Sequence, residues 1–400
     1  MSKIAELDFT DKTLFEQWSA VKEDFWNDLK GHTLIALRHL LESAMEIQVQ
    51  DLLGAERWEH QPSRPTYRNG YYHRSLLTSL GHLSSLKVPR VRSGNPCFNI
   101  IPRYAQRTKD LDKVVLEMFL AGTSTRRVEE VLEPLLGPKT ISATTVSRIS
   151  KVLDSHVRRF HGRLLPDTYE YLILDGVYLN AKSILHSKRR CVLVAYGIMA
   201  NGLRELIDFE LAGHGESQAA WERFLNKLYH RGLEGKNLKL VILDGNKGSW
   251  NALDIIYPEL KRQRCWAHKL RNVANHLPRK IQEPCLLEAK AIYNAPSKEQ
   301  ALKIFKDWAR SWRRQAPKAV HCLEQDLEHL LHFYDCPKPF WKKLRTTNAI
   351  ERTFREVRRR TRPMSCFQNL DSLERILYAI FYRMNAIWRQ KSLTKITQKI

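Results

Sequence analysis

The spacing of apolar residues changes along the chain, and the changes mark out a succession of elements. Up to residue 60 the apolar positions recur at three- and four-residue intervals, which is typical of helices. Residues 61–105 are instead rich in Pro, Gly, Arg and Tyr, with short alternating runs. This composition predicts a small basic module that is β-rich or irregular.

A helical pattern returns between residues 109 and 165, in three segments separated by tight turns. Gly122 suits the end of one helix and Ser124 the N-cap of the next, which Gly137 ends. Ser142 suits the N-cap of the third. Three helices with tight turns fit a helix-turn-helix module, and a purely structural three-helix bundle is the alternative.

The third of these helices is predicted to have an apolar face and a polar face. Its inward-facing side chains are Val146, Ile149 and Leu153. Its outer face carries side chains suited to phosphates or base edges, namely Thr144, Arg148 and Lys151. The basic balance of the helix favours binding of DNA over a structural role.

From residue 166 the apolar runs become shorter and alternate with amphipathic segments. A buried strand is predicted for YEYLILDGVYLNA, and two strands joined at Asn201-Gly202 for RRCVLVAYGIMANGLRELIDFELAG. A helix follows, then a second buried strand in LKLVILDGNKG, a short helix, and a brief strand that leads into a basic helix in KRQRCWAHKLRNV. The predicted order is β, β-hairpin, α, β, α, β, α.

This order is the one that a ribonuclease-H-like core requires, and residues 270–340 interrupt it with helices. The predicted fold class is α/β: a ribonuclease-H-like catalytic core, interrupted by an all-helical insertion and preceded by a helical helix-turn-helix DNA-binding region. The predicted segments are 1–60, helical; 61–108, basic and β-rich or irregular; 109–165, helix-turn-helix-like; 166–269, first part of the core; 270–340, helical insertion; and 341–400, C-terminal helices of the core. Trp308, Trp312 and Trp341 are most simply interpreted as packing residues of the insertion.

Charge narrows the choice of partner. The chain has 66 Lys and Arg against 43 Asp and Glu, a net charge of +23 and a pI near 9.8. Such an excess favours a polyanion, with nucleic acid first and an acidic membrane surface second. No apolar run approaches the ~20 residues of a membrane-spanning helix. For the basic module at residues 61–105, two interpretations stay open: a surface loop, or a segment that contacts DNA directly.

The N-terminal residues and the cysteines indicate in which cellular compartment the protein is expected. The first residues lack the basic-then-apolar pattern of a signal peptide. Seven scattered cysteines, an odd number, argue against a disulfide framework. We expect a reducing compartment, the cytoplasm or the bacterial nucleoid.

Two aspartates and one glutamate form the candidate catalytic set. Asp175 is predicted to end the strand LILD, and Asp244 the strand VILD. In the proposed fold these are the first and fourth strands, which are parallel neighbours, so both carboxylates would meet at one edge. A returning helix would bring Glu351 to the same point. Taken singly, the aspartates are also common turn formers and Glu351 a common surface residue.

Three clustered carboxylates repel one another unless a cation neutralises them. Hard oxygen ligands suit Mg²⁺ or Mn²⁺. Two such ions ~4 Å apart can activate an attacking oxygen and stabilise a leaving one in phosphoryl transfer. The predicted metal ligands are therefore Asp175, Asp244 and Glu351, with two ions per site.

Basic residues surround Glu351 in the sequence. Between Lys342 and Arg362 there are nine Lys or Arg and two acids, Glu351 and Glu356. We expect the basic residues to hold the phosphates on which the carboxylate site acts. The predicted DNA-binding residues are Thr144, Arg148, Lys151, Lys269, Arg271, Lys342, Lys343, Arg345, Arg352, Arg355, Arg358 and Arg359.

Cys265 and His268 form a Cys-x-x-His pair. Zinc requires about four ligands, and no second pair lies at convincing spacing, although His321, Cys322 or Cys336 are conceivable additions. A buried cysteine at a strand end, with the histidine near the active site, is the simpler interpretation.

The chain resembles the Mutator-type transposases of bacterial insertion sequences, a branch of the DDE transposases. The resemblance is carried, in family order, by RNGYYHRSLLTSLGHLSSLKVPRVR, GTSTRRVEEVLEPLLG, ISATTVSRIS, LDGVYL, HGESQAAWERFLNKLYHRGL, LDGNKG, QRCWAHKLRNV and TTNAIERTFREVRRRTRP. The family's catalytic acids fall on Asp175, Asp244 and Glu351. Its Cys-x-x-His signature falls on Cys265 and His268.

The resemblance implies an enzyme that binds the terminal inverted repeats of its own element in double-stranded DNA. It would cut the DNA ends and join their 3′-hydroxyls to target DNA. Bringing two ends together implies at least a homodimer. The alternatives are a DNA-binding regulator without catalysis, which gives no reason for the three acids to coexist, and a nuclease of the same fold that does not join strands.

Overall fold

The computed structural model describes residues 25–94, 96, 98–102, 104–137, 140–182, 187–213, 215–364, 367 and 369–393. The chain divides into two units. The first comprises Met1–Phe119 and Thr123–Ser150, and the second Leu120–Gly122 and Lys151–Ile400. Residues 1–24 of the segment predicted to be helical lie outside the described residues.

The first unit contains a long helix packed on a β-hairpin. Helix α1 spans Phe25–Leu53, and the hairpin consists of β1, Arg68–Thr78, and β2, Gly81–Val91, paired antiparallel. Met45 of α1 is buried together with apolar residues of the hairpin: Leu76, Leu83, Leu86 and Val88. The hairpin falls within the segment predicted to be β-rich or irregular, and its pairing carries register shifts between Arg68 and Tyr71 and between Arg74 and Leu76.

Three helices follow the hairpin. They are α2, Lys109–Leu120; α3, Thr125–Leu136; and α4, Ala143–Ser150. Ser124 caps α3 by accepting a hydrogen bond from the Arg127 N–H at 3.3 Å. The short polar side chain before the helix therefore supplies the acceptor that the first turn lacks.

The predicted third helix is wrong in its length, because it is two helices in the structure. Helix α4 ends at Ser150, and α5 spans Leu153–Gly162 in the second unit. At the break, the Asp154 N–H donates to the Lys151 carbonyl at 3.0 Å in a tight turn. Asp154 is held there by an ion pair with the buried Arg375, a tertiary contact that apolar spacing does not reveal.

The second unit is built around a five-stranded mixed sheet. Its strands are β3, Tyr169–Lys182; β4, Ser187–Met199; β5, Arg204–Ala212; β6, Leu240–Leu243; and β7, Arg262–Arg264. They lie in the order β5-β4-β3-β6-β7. Strands β3, β4 and β5 pair antiparallel, whereas β3–β6 and β6–β7 pair parallel. The prediction that the first and fourth strands of the sheet are parallel neighbours is confirmed, since these are β3 and β6.

Helices connect and cover this sheet. The crossovers are α6, Gln218–His230, and α7, Lys247–Ile256, and the last strand leads into α8, Trp266–Ala274. Trp221, Phe224, Leu225 and Leu228 of α6 are buried in one cluster with apolar residues of the strands. These residues share one helical face, so their spacing accounts for the packing.

The remaining helices follow in chain order. They are α9, Arg279–Asn294; α10, Lys298–Trp312; α11, Pro317–Glu324; α12, Leu327–Leu331; α13, Trp341–Leu344; α14, Asn348–Thr361; and α15, Leu370–Trp388, with 3₁₀ turns at His332–Asp335, Lys338–Phe340 and Arg362–Met364. Trp308 and Trp312 are buried in α10, and Trp308 donates its indole N–H to the Cys285 carbonyl at 3.1 Å. Trp312 likewise donates its indole N–H to Glu288 at 2.7 Å, so both tryptophans join α10 to α9.

Two further features concern the residues that the structure describes. Their cysteines, Cys191, Cys265, Cys285, Cys322 and Cys336, are all free thiols. No described helix combines the length and the apolarity that crossing a membrane requires.

Candidate active site

Asp175 and Asp244 emerge side by side from the sheet. Parallel pairing of β3 with β6 ends at Ile173 and Ile242, two residues before each aspartate. Both aspartates therefore lie just beyond the same end of the parallel pairing between the two neighbouring strands.

The prediction that Asp175 ends its strand is wrong. Strand β3 runs on to Lys182, and Asp175 pairs with Val194 of the antiparallel partner β4. The strand outlasts its parallel neighbour because β4 continues to satisfy its backbone groups. The position of Asp175 beside Asp244 is unaffected.

The turn after β6 fixes Asp244. Its Oδ1 accepts a hydrogen bond from the Asn246 N–H at 2.9 Å, and its carbonyl accepts one from the Trp250 indole at 2.8 Å. Asn246 in turn caps α7 by accepting from the Gly248 N–H at 2.7 Å. The sequence LDGNKG therefore forms a strand end, a turn and a helix start in six residues.

Glu351 lies in the first turn of α14 and faces α8. Its Oε1 is 3.7 Å from His268 Nε2 and 3.5 Å from Arg271 Nη2. His268 also interacts electrostatically with Asp175 and Asp244. The histidine is therefore within electrostatic reach of all three acids.

Cys265 anchors the helix that carries Glu351. Its sulfur is fully buried and accepts a hydrogen bond from the Thr347 N–H at 3.3 Å, at the start of α14. Its own N–H donates to the Leu243 carbonyl at 2.9 Å, at the end of β6. The Cys-x-x-His spacing therefore ties the Asp244 strand to the Glu351 helix through Cys265 and places His268 beside the acids.

Asp175 is electrostatically strained. Burial raises the pKa of its carboxyl to about 7, with a further rise from the Asp244 and Glu216 carboxylates, while His268 and the Gly176 N–H act in the opposite direction. The negative charge is therefore poorly compensated by protein groups alone.

The surroundings of His268 favour its protonated form. The Cys265 side chain raises the pKa of His268 above its ordinary value, and the Asp175 and Asp244 carboxylates act in the same direction, against the effect of burial. A protonated His268 is then attracted to all three acids of the candidate set.

Glu216 is a fourth acid at this site, to which the sequence interpretation assigned no role. It follows β5, and its Oε2 is 3.5 Å from Asn246 Nδ2. Burial raises the pKa of Glu216, and the Asp244 carboxylate adds to the rise. The available signal was its position in HGESQAAW, one of the motifs quoted for the family resemblance.

The donor set can be compared with the needs of a divalent cation. Asp175, Asp244 and Glu216 offer hard oxygen atoms and repel one another, which suits Mg²⁺ or Mn²⁺. Glu351 instead faces His268 and Arg271. Within the described part of the chain, no three His, Cys, Asp or Glu side chains are already arranged as a metal-binding group. The residues fit the cation in chemistry, and Glu351 would have to turn from His268 to join the others.

Basic residues of the second unit gather around one cavity of about 600 Å³. The predicted residues that line it are Lys342, Lys343, Arg345, Arg352 and Arg355, and Arg204 joins them. Burial lowers the pKa of Lys343, and the neighbouring Arg352 and Arg204 lower it further. The cavity therefore concentrates positive charge.

Other predicted DNA-binding residues lie elsewhere. Arg358 lines a smaller cavity of about 370 Å³ with Arg189 and Arg362. Arg359 pairs with Glu356 at 3.1 Å, and the exposed Arg271 pairs with Glu351. In the region of α4, Thr144, Arg148 and Lys151 are exposed, whereas Val146 and Ile149 are buried.

Lys269 requires a correction. Only 3% of it is exposed, and its ammonium group pairs with Asp326. Helical spacing placed it on a basic helix, but it lies on the face of α8 that packs into the protein. Lys269 is therefore not available to contact DNA.

Carboxylates at the edge of a mixed sheet, together with arginine- and lysine-lined cavities in the same unit, define a candidate site for a polyanionic substrate. The chain belongs to the Mutator family of transposases, whose family model matches residues 10–391. It is 34% identical over 354 residues to the transposase for insertion sequence element ISRM5 of Rhizobium meliloti (strain 1021), covering 88% of each chain.

Two further similarities were found. The transposase for insertion sequence element IS256 in transposon Tn4001 of Staphylococcus aureus is 32% identical over 357 residues, covering 88% of this chain and 90% of that one. The Drosophila P element transposase strand transfer complex aligns with a TM-score of 0.30 and 13% identity, covering 74% of this chain and 82% of that chain. A TM-score this low carries no argument about the fold.

Proposed function

We propose that this chain is a DDE transposase that binds the terminal inverted repeats of an insertion sequence, cuts the DNA ends and joins their 3′-hydroxyls to target DNA. Family membership supports the class of enzyme. The observation that carries the proposed site is the emergence of Asp175 and Asp244 from neighbouring parallel strands, with Glu351 reaching the same charge cluster through His268. The catalytic unit would be a ribonuclease-H-like core.

Asp175, Asp244 and Glu351 would hold two Mg²⁺ or Mn²⁺ ions. When bound, the ions would activate the attacking oxygen and stabilise the leaving one. The protein's own contribution is positional. The Asn246 turn fixes Asp244, and Cys265 fixes the start of the helix that carries Glu351. A protonated His268 would offset part of the acidic charge.

Basic groups would hold the DNA. The cavity lined by Lys342, Lys343, Arg352 and Arg355 offers charge-assisted donors to backbone phosphates. Exposed Thr144 and Arg148 on α4 would contact the inverted repeat in double-stranded DNA. Because two element ends must be brought together, we propose a homodimer or a higher oligomer.

The test is to incubate the full-length protein with Mg²⁺, a labelled duplex that carries the element end and an unlabelled target. We expect both nicked products and joined products of higher mass. Nicking without joining would indicate a nuclease, and binding without either product would indicate a regulator. An unlabelled duplex of scrambled sequence as competitor distinguishes recognition of the end from general affinity for DNA.

A further inference from the structure

A concave basic surface lies on the first unit, where β1 begins and β2 ends. It encloses about 580 Å³. Five arginines line it: Arg57, Arg64, Arg68, Arg90 and Arg92. Two acids, Glu46 and Glu59, also line it, but they are outnumbered by the arginines, so the surface is positively charged overall. We call this surface the arginine pocket.

Two of these arginines have donors without acceptors. Among the described residues, Nε and Nη2 of Arg64 and Nε of Arg68 are buried and have no hydrogen-bond partner. Arg68 is held in place because its Nη1 donates to the Ala55 carbonyl at 3.3 Å. Its carboxylate neighbour Glu46 is 4.0 Å from Nε, beyond hydrogen-bond range. Buried donors without acceptors cost free energy, which an entering anionic oxygen would recover.

Aromatic side chains stand exposed beside these arginines. Trp58 is 92% exposed and has a left-handed backbone with φ of 74°. Tyr67 is 53% exposed, and the guanidinium groups of Arg64 and Arg92 each lie 5.9 Å from its ring centre. An exposed indole and a left-handed non-glycine backbone are both unfavourable in the free protein. Such strain is typical of sites that contact a ligand.

We propose that the arginine pocket binds single-stranded DNA, with a backbone phosphate between Arg64 and Arg68 and an unpaired base against Trp58. A basic groove beside exposed aromatic rings is the arrangement by which proteins hold single strands, because every base offers a face for stacking. A duplex keeps its bases stacked inside and would leave Trp58 without a partner. DNA rather than RNA is the expected strand because the chain belongs to a transposase family. The site is additional to the carboxylate site and to α4.

The experiment measures binding of fluorescently labelled DNA to the full-length protein by anisotropy, in EDTA so that no cleavage occurs. The probes are a 20-nucleotide single strand and a 20-base-pair duplex, both unrelated to the element. Trp58→Ala should weaken single-strand binding roughly 5- to 100-fold and leave duplex binding within about twofold. The matched control is Arg314→Gln, an exposed arginine of the second unit, which should leave both affinities within about twofold.

The double variant Arg64→Gln/Arg68→Gln tests the phosphate contact. The slope of log affinity against log salt for the single strand should become shallower by about 0.7, the value for one phosphate. Circular dichroism checks its fold, because Arg68 also bonds the Ala55 carbonyl. Trp58, whose side chain is almost wholly in solvent, gives the decisive variant if the double variant is unfolded.

Three outcomes would overturn the proposal. These are an equal loss of single-strand and duplex affinity in Trp58→Ala, an equal loss in Arg314→Gln, and tighter binding of a single-stranded RNA of the same sequence. Both probes are unrelated to the element and binding is measured in EDTA, so the result does not depend on cleavage or joining. Failure of the proposed catalysis is therefore distinguishable from failure of this site.

Discussion

The glycine after Asp175 is explained by close approach rather than by a turn. Gly176 lies within β3, and a Cβ built on it would be 2.6 Å from Glu216 Oε1. The Asp-Gly pair reads as a turn signal in the sequence. In the structure this glycine makes room for a second carboxylate beside the first.

Gly176→Ala should displace the Glu216 side chain with little loss of stability, because the end of a glutamate side chain is flexible. We expect strand transfer to fall roughly 10- to 100-fold, as for other small misplacements at a reacting centre. The measurements are strand-transfer rate and melting temperature. Gly213→Ala is the control, since a Cβ there meets nothing within 4 Å. Wild-type transfer in Gly176→Ala would remove Glu216 from the site.

The pKa of Asp175 predicts a pH dependence of stability. Its folded value of about 7 lies above the ordinary value near 4, so folding favours the protonated carboxyl. The contribution is fully present below about pH 4 and is lost as pH rises through about 7. In EDTA, Asp175→Asn should therefore melt several degrees above the wild type at pH 8, with a smaller difference at pH 5.

The melting temperatures of the wild type and Asp175→Asn can also be compared with Mg²⁺ present. At pH 8 it should raise the melting temperature of the wild type more than that of Asp175→Asn, because binding to the folded state stabilises it. Equal stabilisation of both proteins by Mg²⁺, or a lower melting temperature for Asp175→Asn in EDTA, would contradict this account of Asp175.

Single residues show where sequence reasoning stops. Asp175 and Asp244 could be predicted to lie close together, because the order of the strands alone makes their two strands neighbours in the sheet. Lys269 could not be placed, because helical spacing does not reveal which face of α8 packs against Asp326. Glu216 was missed because its approach to Asp244 depends on the loop after β5.

Elements with a strong local signal were predictable. The hairpin of β4 and β5 follows from the Asn-Gly turn between two apolar runs, and Gly202 there has a φ of 76°. The interruption between α4 and α5 was not predictable, because Arg375 is more than 200 residues away from Asp154.

The edge strand β5 depends on one side chain of α15. Asn385 is buried, accepts from the Leu206 N–H at 2.8 Å and donates to the Leu206 carbonyl at 3.0 Å. Asn385→Leu would leave both backbone groups without a partner, at a cost of about 1–3 kcal/mol per group. Urea-induced unfolding measures this loss in the free energy of unfolding.

Ile387→Ala is the control on the same helix, because Ile387 is mostly exposed. Its free energy of unfolding should stay within about 0.5 kcal/mol of the wild type. An Asn385→Leu variant as stable as this control would mean that β5 does not need the helix to complete its hydrogen bonds.

At the scale of the whole molecule, the net charge of +23 belongs to two separate units. The first carries the arginine pocket and the exposed residues of α4, and the second carries the carboxylates and the basic cavity of Arg352. Composition predicted a polyanionic partner, and membership of a transposase family agrees with that prediction. It could not assign the charge to particular surfaces, because that assignment follows from folding.

The central claim is that three acids, distant in sequence, act together on DNA. The most direct measurement compares Asp175→Asn, Asp244→Asn and Glu351→Gln with the wild type, using a labelled element end, a target duplex and Mg²⁺. Each variant should bind the end with affinity close to that of the wild type and yield no joined product. Joined product near the wild-type level from any one of them would contradict the claim for that residue and, with it, the shared site.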